Sequence, residues 1–443
     1  MSQNGKKRYA MVGTGGRAPM FLDPLVETYG EVGDLVGLCD VNPARLEHYR
    51  RRLAEMGYHD VPTWDAAEFD RMIESTKPDC VIVTTVDAFH HEYVIRAMDL
   101  GCDAITEKPM TIDDEKCRAI LDCIERTGRN LRVTFNYRWG PGPTRVRELI
   151  QEGTIGEIIH VDLDYLLNTS HGADYFRRWH REKDKSGGLM VHKATHHFDL
   201  VNWWIDAVPE TVFGMGRLAF YGRENAERRG LEVKYDRYAG QDTVDDPFAL
   251  DLAEDEKMRE LYLEPEKHDG YHRDQNVFGD GITIEDTMSV LVRYRTGVVL
   301  NYSLNAYLPR EGFNVSFNGT KGRLEYQEIH GSHIIAGQST EELGEEMSWE
   351  SQIVVHPMFG KAYKIEIEEA EGGHGGGDPM LQEQIFATSP KPDPWGRNAG
   401  HGQGAASILI GIAANHSFRT GLPVAIRDLC PKLGDASRLS DLP

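Results

Sequence analysis

Over the first 135 residues, short apolar runs alternate with longer stretches whose apolar positions recur at helical spacing. Runs at 9–12, 35–39, 80–85, 104–106 and 131–135 predict strands, and stretches at 43–56, 92–100 and 114–127 predict helices. The 80–85 run, CVIVTT, is almost continuously apolar or β-branched, as in a strand buried on both faces. This alternation predicts a parallel sheet covered by helices. Asn42-Pro43 marks a helix start, with Asn as cap and Pro at the first helical position.

After Phe135 the pattern changes. A helix is predicted at 144–151. Ile159, Val161, Leu163 and Tyr165 then alternate with His160, Asp162 and Asp164, which predicts a strand packed on one face and open on the other. One continuous helix is predicted at 189–205. Strands are predicted at 212–220, 283–294, 298–305, 313–317 and 323–326, and a last helix at 404–419, stopped by Gly421. The expected fold is α/β. A Rossmann doubly wound parallel sheet (1–135) precedes an α+β domain on a mostly antiparallel open sheet (136–443). Residues 221–280 are expected to be an irregular insertion, with its acidic part, 241–269, solvated. Residues 370–378 are expected to be a glycine-rich loop, either an ordinary flexible one or one that approaches a ligand or closes as a lid.

The length, 443 residues, exceeds what one core usually supports, which agrees with two domains. No run approaches the ~18 apolar residues of a membrane span, and the N-terminus carries no secretory pattern. A net charge of −22 disfavours nucleic acid as a partner. The six cysteines form no CxxC pair and read as reduced, buried thiols of a cytoplasmic protein. The open sheet face points to a homo-oligomer.

The candidate chemistry begins at Gly13-Thr14-Gly15-Gly16-Arg17-Ala18, between a strand and a helix. Gly13 permits the turn, Gly15 and Gly16 let backbone approach a pyrophosphate, Arg17 lies within the motif, and Ala18 is small enough for close packing. Asp40 ends the second strand, roughly twenty residues on, where an acid binds a ribose 2′-hydroxyl and repels a 2′-phosphate. NAD is therefore the expected cofactor. Ligands bind beyond the carboxyl ends of such strands, which adds Thr85, Asp87, His90, Glu107 and Lys108 to the expected cofactor-binding set. A lysine there can lower the pKa of a substrate hydroxyl.

The densest polar cluster runs from Ser186 to Asp199, on a segment that is otherwise apolar. On one helix, His192, His196 and Asp199 share a face, with Lys193 and His197 beside them. His192 and His196 also have metal-ligand spacing, but the glutamate of H-E-x-x-H and a third ligand are absent, so no metal is expected.

These motifs resemble the Gfo/Idh/MocA oxidoreductases. The resemblance rests on the GxGxxA loop, Glu107-Lys108-Pro109, Asn136-Tyr137-Arg138, the Gly-Gly…His-x-x-Asp segment, and the final helix before Gly421-Leu422-Pro423-Val424. It implies hydride transfer between a nicotinamide dinucleotide and a sugar, inositol or related alcohol. It also implies that Lys108 and His196 are catalytic. Where the family commonly has aspartate, this chain has His192, a third catalytic candidate, which leaves open which residue takes the hydroxyl proton. Tyr137, Arg138, Lys193, His197, Arg178 and His374 are the candidate substrate-binding residues. Two rival functions use the same parts: an NAD-dependent glycosidase or lyase that oxidises a ring hydroxyl transiently, and a non-catalytic NAD-binding sensor.

Overall fold

The computed structural model describes residues 5–243, 245–331, 350–368 and 373–443. The first sheet contains β1 (Lys7–Val12), β2 (Gly33–Asp40), β3 (Thr63–Asp65), β4 (Cys80–Val83), β5 (Asp103–Thr106) and β6 (Leu131–Val133). These six are parallel, in the order β6-β5-β4-β1-β2-β3. The order reverses between β1 and β4, so a crevice opens beyond their carboxyl ends. The apolar runs form these strands because helices cover both faces: Ala10, Val12, Val81 and Val83 enter one core cluster, Tyr9, Met11 and Ile82 the other. Asn42 caps the helix Pro43–Glu55 by accepting from the Ala44 N–H (3.1 Å).

The second sheet contains β7 (Ile158–Asn168), β8 (Pro209–Arg217), β9 (Thr287–Tyr294), β10 (Val299–Leu308), β11 (Glu311–Gly319), β12 (Gly322–Gly331), β13 (Glu350–Pro357) and β14 (Tyr363–Ile365). Its order is β14-β13-β12-β11-β7-β10-β9-β8, with Val424–Ala425 at the β8 edge. All its pairs are antiparallel except β7 with β10. The helices Thr195–Trp204 and His401–Thr420 lie in the core beside it. Ile159, Met215, Leu291 and Val299 are exposed. Near its end the chain returns to the first sheet, where Ala399–Gly400 pairs antiparallel with β6.

Three expectations need correction. The single helix at 189–205 is two, Leu189–His192 and Thr195–Trp204, joined at Lys193 and Ala194. The break is held by packing from the far end of the chain. Thr195 is hydrogen-bonded through its hydroxyl and carbonyl to Ser407 (2.8 and 2.7 Å), and a Cβ added at Gly411 would lie 2.2 Å from the Met190 carbonyl oxygen. Of the glycine-rich stretch expected to be a loop at 370–378, residues 370–372 lie outside the described residues and the rest belongs to a helix, Gly373–Phe386. Finally, the 221–280 insertion is not solvated throughout: among its described residues are short helices at Arg223–Arg228, Glu256–Met258 and Glu266–Asp269, and Tyr238, Leu252 and Leu261 are buried.

Candidate active site

β1 runs into Gly13, whose φ of 89° and closeness to the next strand exclude a side chain: an added Cβ would lie 2.6 Å from the Thr84 and Thr85 backbone. Thr14 donates its N–H (2.5 Å) and hydroxyl (2.9 Å) to one Asp40 oxygen, and the other accepts the Asn42 N–H (2.8 Å). Asp40 thereby clamps the loop to the end of β2. At Gly15 an added Cβ would meet nothing within 4 Å, so the backbone is open to close approach. Ala18, fully buried, precedes the helix Pro19–Glu27. This cradle fits the pyrophosphate of a dinucleotide.

Arg17 donates to Glu107 (2.8 Å), whose second oxygen accepts the Lys108 N–H (3.1 Å). The glycine loop is thus tied to the neighbourhood of the catalytic candidate. Thr85 and His90 were both expected at the cofactor. Both His90 ring nitrogens instead face carbonyl oxygens, of Pro109 (2.8 Å) and Thr85 (3.0 Å), so His90 braces the turns that carry Thr85 and Lys108.

The acidic insertion, expected to be solvated, crosses this crevice. The Gly16 N–H donates to the Tyr262 hydroxyl (2.9 Å). Arg45 donates to the Leu261 carbonyl (3.0 Å) and pairs with Asp269 (2.8 Å). Asn42 donates to the Pro265 carbonyl and to Asp269 (3.0 and 2.9 Å). Glu260 meets His48 (2.8 Å) and Arg51. Nothing in the local pattern marks this role, because every partner lies some two hundred positions away.

Beyond Lys108 stands a chain of titratable groups. The His192 Nδ1 lies 2.5 Å from an Asp87 oxygen, and the Lys108 amine lies 3.4 Å from His192 Nε2 and 3.2 Å from its carbonyl. With Nδ1–H donated to Asp87, Nε2 faces Lys108 as an acceptor. Burial, together with Lys108, His180 and Arg178, holds the His192 imidazole well below its ordinary pKa, so it is neutral at pH 7. Burial lowers Lys108 also, opposed by Asp87 and Glu107, and raises the Asp87 carboxyl, opposed by Lys108. The His180 ring meets His192 edge to face (4.2 Å) and stacks on Trp179 (3.6 Å).

Two profiles of one family cover these regions: the GFO_IDH_MocA "Oxidoreductase family, NAD-binding Rossmann fold" over residues 7–135, and its "C-terminal alpha/beta domain" over 147–426. The chain belongs to the Gfo/Idh/MocA oxidoreductase family. A Bacillus subtilis protein named as an oxidoreductase, YteT, is 34% identical over 96% of this chain and 98% of its own length. The D-glucoside 3-dehydrogenase of Escherichia coli is 32% identical over 28% of this chain and 34% of its own. A glycosyl hydrolase family 109 protein of a Shewanella strain is 24% identical over 86% and 76% respectively. Among solved structures, the aldose-aldose oxidoreductase of Caulobacter crescentus, complexed with glycerol, shares the fold at a TM-score of 0.61, with 17% identity over 95% of this chain and 99% of that one.

In this Gfo/Idh/MocA chain the remaining candidates divide into two groups. Lys193 lies 4.9 Å from the Tyr165 ring centre and 6.0 Å from that of Tyr137; burial, opposed by Glu311, pushes its amine down to about 8. Tyr137 stacks on His196 (4.5 Å), so His196 lies against an aromatic ring, while His192 is the histidine that meets Lys108. Arg178 shares Asp174 with Arg177 and Arg273, and only a quarter of its side chain is exposed. Burial alone would raise Asp174, but these three arginines hold it below the usual carboxylate range.

The other group faces the core. Arg138, expected at substrate, is fully enclosed. It forms two hydrogen bonds with Asp199 (2.7 and 2.6 Å) and one with Gln403 (2.7 Å), so it braces the Thr195–Trp204 helix. His197 bonds the Tyr302 hydroxyl (2.8 Å) and stacks on Tyr165 (4.0 Å). Trp203 and Trp204 are core residues. The His374 side chain lies outside the described residues. Sequence reasoning missed Glu311, which gathers His171 (2.7 Å), Tyr165 (3.3 Å) and His330 (3.8 Å) behind Lys193. Burial alone would raise its carboxyl, but His171 and His330 hold it well below the ordinary range.

Proposed function

We propose that this protein is an NAD-dependent dehydrogenase that oxidises a hydroxyl-bearing carbon of a sugar, glycoside or related polyol. The observation that carries this reading is the continuous Asp87–His192–Lys108 chain beside the glycine crevice. When bound, a nicotinamide supplies the hydride acceptor. The chain's own residues handle the proton. Lys108 takes the proton of the substrate hydroxyl while passing one of its own to His192 Nε2. The Asp87 carboxylate then stabilises the imidazolium through Nδ1–H. Lys108 remains cationic beside the developing alkoxide. Tyr137, His196, Lys193 and Arg178 surround the substrate. The Asp40 and Asp269 carboxylates near the loop, with Arg45 already paired to Asp269, favour NAD over a cofactor bearing a 2′-phosphate.

The direct test mixes protein, NAD and a panel of sugars, inositols and glycosides, and follows reduced nicotinamide alongside product analysis. A keto-sugar formed in step with reduced cofactor supports the dehydrogenase. A panel without turnover, in protein that binds NAD, sinks it.

The likeness to a glycosyl hydrolase family 109 protein favours a second reading, transient oxidation followed by release of an aglycone. His180 and Lys193 would supply the additional acid–base groups. Aglycone release without net cofactor reduction separates it from the first. The exposed apolar residues of the second sheet, Ile159, Met215, Leu291 and Val299, support assembly into a homo-oligomer.

A further inference from the structure

We infer that residues 255–270 are a latch over the dinucleotide site, and that the Tyr262 hydroxyl must leave the Gly16 N–H before a pyrophosphate can take it. The inference rests on the dinucleotide-binding reading of the glycine loop and goes beyond it.

Three features carry it. The first is position. Gly16 belongs to the loop that offers backbone N–H groups to an anion, and here that N–H is already donated to a phenolic oxygen 2.9 Å away. A Cβ placed on Gly16 would meet Tyr262 alone, at 2.7 Å from its hydroxyl. The hydroxyl thus occupies the ground over the loop where a ligand oxygen would sit.

The second is anchoring. The segment consists of three short helical turns, Glu256–Met258, Arg259–Leu263 and Glu266–Asp269, with Asp255 capping the first through the Met258 N–H (2.9 Å). Turns this short do not hold together by themselves in water, so their contacts with the Rossmann domain must hold them. Leu261 is buried in the apolar cluster of Tyr9, Phe21, Leu46 and Tyr49. Around it, Glu260 reaches His48 and Arg51, and Asp269 reaches Arg45 and Asn42. All four partners belong to the helix after β2 or to its cap.

The third is the environment of the ring. The Arg45 and Arg273 guanidiniums lie 5.8 and 5.7 Å from the Tyr262 ring centre. Arg45 comes from the first domain and Arg273 from the second, so the ring bridges the two. The Glu260 contacts with His48 and Arg51 are partly exposed and can open locally, while Leu261, Asn42 and Arg45 stay buried. Cofactor exchange would then wait on opening.

The test is stopped-flow binding of NADH to the full-length protein, read by nicotinamide fluorescence. The wild-type association rate should level off as NADH concentration rises, because opening becomes limiting. Tyr262→Phe keeps the ring but loses the hydroxyl, and Glu260→Gln loosens the anchor. Each should raise the plateau about five- to tenfold, the effect of losing one hydrogen bond or charge-assisted contact from the closed state. Rates that rise linearly with the same slope in all three proteins would overturn the latch, as would a plateau that neither variant moves. Absence of any NADH signal in wild type would instead overturn the cofactor reading itself.

Discussion

The two halves of the site hold their ligand-facing groups in different ways. The cofactor half is built from backbone. A strand, a turn fixed by Gly13 and a helix lie within some twenty residues, and one carboxylate, Asp40, secures the turn. The half proposed to handle the proton is built from buried ionisable side chains that meet from distant places. Asp87 follows β4, Lys108 follows β5, and His192 ends a four-residue helix. Backbone geometry tolerates changes of charge state. A cluster of buried ionisable groups does not, because each group sets the protonation of the next.

The largest expected effect falls on the second half. Lys108→Ala should lower kcat by about a thousandfold or more, as removal of a single transition-state donor does, while NADH affinity changes little. A comparable loss of NADH binding would erase the distinction between the halves. Next comes a structural member of the same region. Asp199→Asn leaves the fully enclosed Arg138 without its counter-charge and should cost about 3 kcal/mol of stability or more. If the folded variant instead kept its melting temperature and showed a raised KM, Arg138 would be a substrate residue after all.

A break in the first half should read differently. Gly13→Ala forces a Cβ into the Thr84–Thr85 backbone, so NADH affinity should fall by about a hundredfold, equivalent to about 3 kcal/mol of strain at the loop. Unchanged affinity in titration would show that the loop can move aside.

The pH response sharpens the contrast further. Burial depresses His180, His192 and His197, so the unfolded chain binds protons below about pH 6.5 that the folded chain refuses. Stability present at neutral pH should therefore be lost as pH falls below about 6.5, by up to about 1.4 kcal/mol per histidine per pH unit, with His330, which is raised, opposing. Thermal unfolding at pH 7.5 and 5.5 measures it, and a flat melting temperature would contradict these environments. The smallest effect is expected for Asp40→Asn, which keeps the side chain's shape but has one acceptor oxygen where the clamp uses two, and should weaken NADH binding only several-fold. No change in binding would remove Asp40 from the cofactor site.

Local pattern made much of the first domain legible. Five strands of the parallel sheet, the glycine loop and the Asn42 cap are each written within a short window, because alternation, turn chemistry and capping are local effects. The three-residue edge strand β3 was missed, since so short a run carries no period. The polar cluster at 186–199 was legible as chemistry, but not in its arrangement. Read as one helix, it puts His192 and His196 on a common face. The break at Lys193 and Ala194 instead lets His192 reach Asp87 and leaves His196 on Tyr137.

What the sequence by itself determined, then, was the order of the elements, the dinucleotide cradle and the presence of Lys108 beside a histidine-rich segment. These depend on spacing along the chain. Tertiary structure decided which histidine meets Lys108, that Arg138 is a brace, that Glu311 stands behind Lys193, and that an acidic stretch lies across the glycine loop. Each of those outcomes is a pairing of charges or hydrogen-bonding groups far apart in sequence. Burial makes such pairings strong, and only the packed fold determines which groups are buried together.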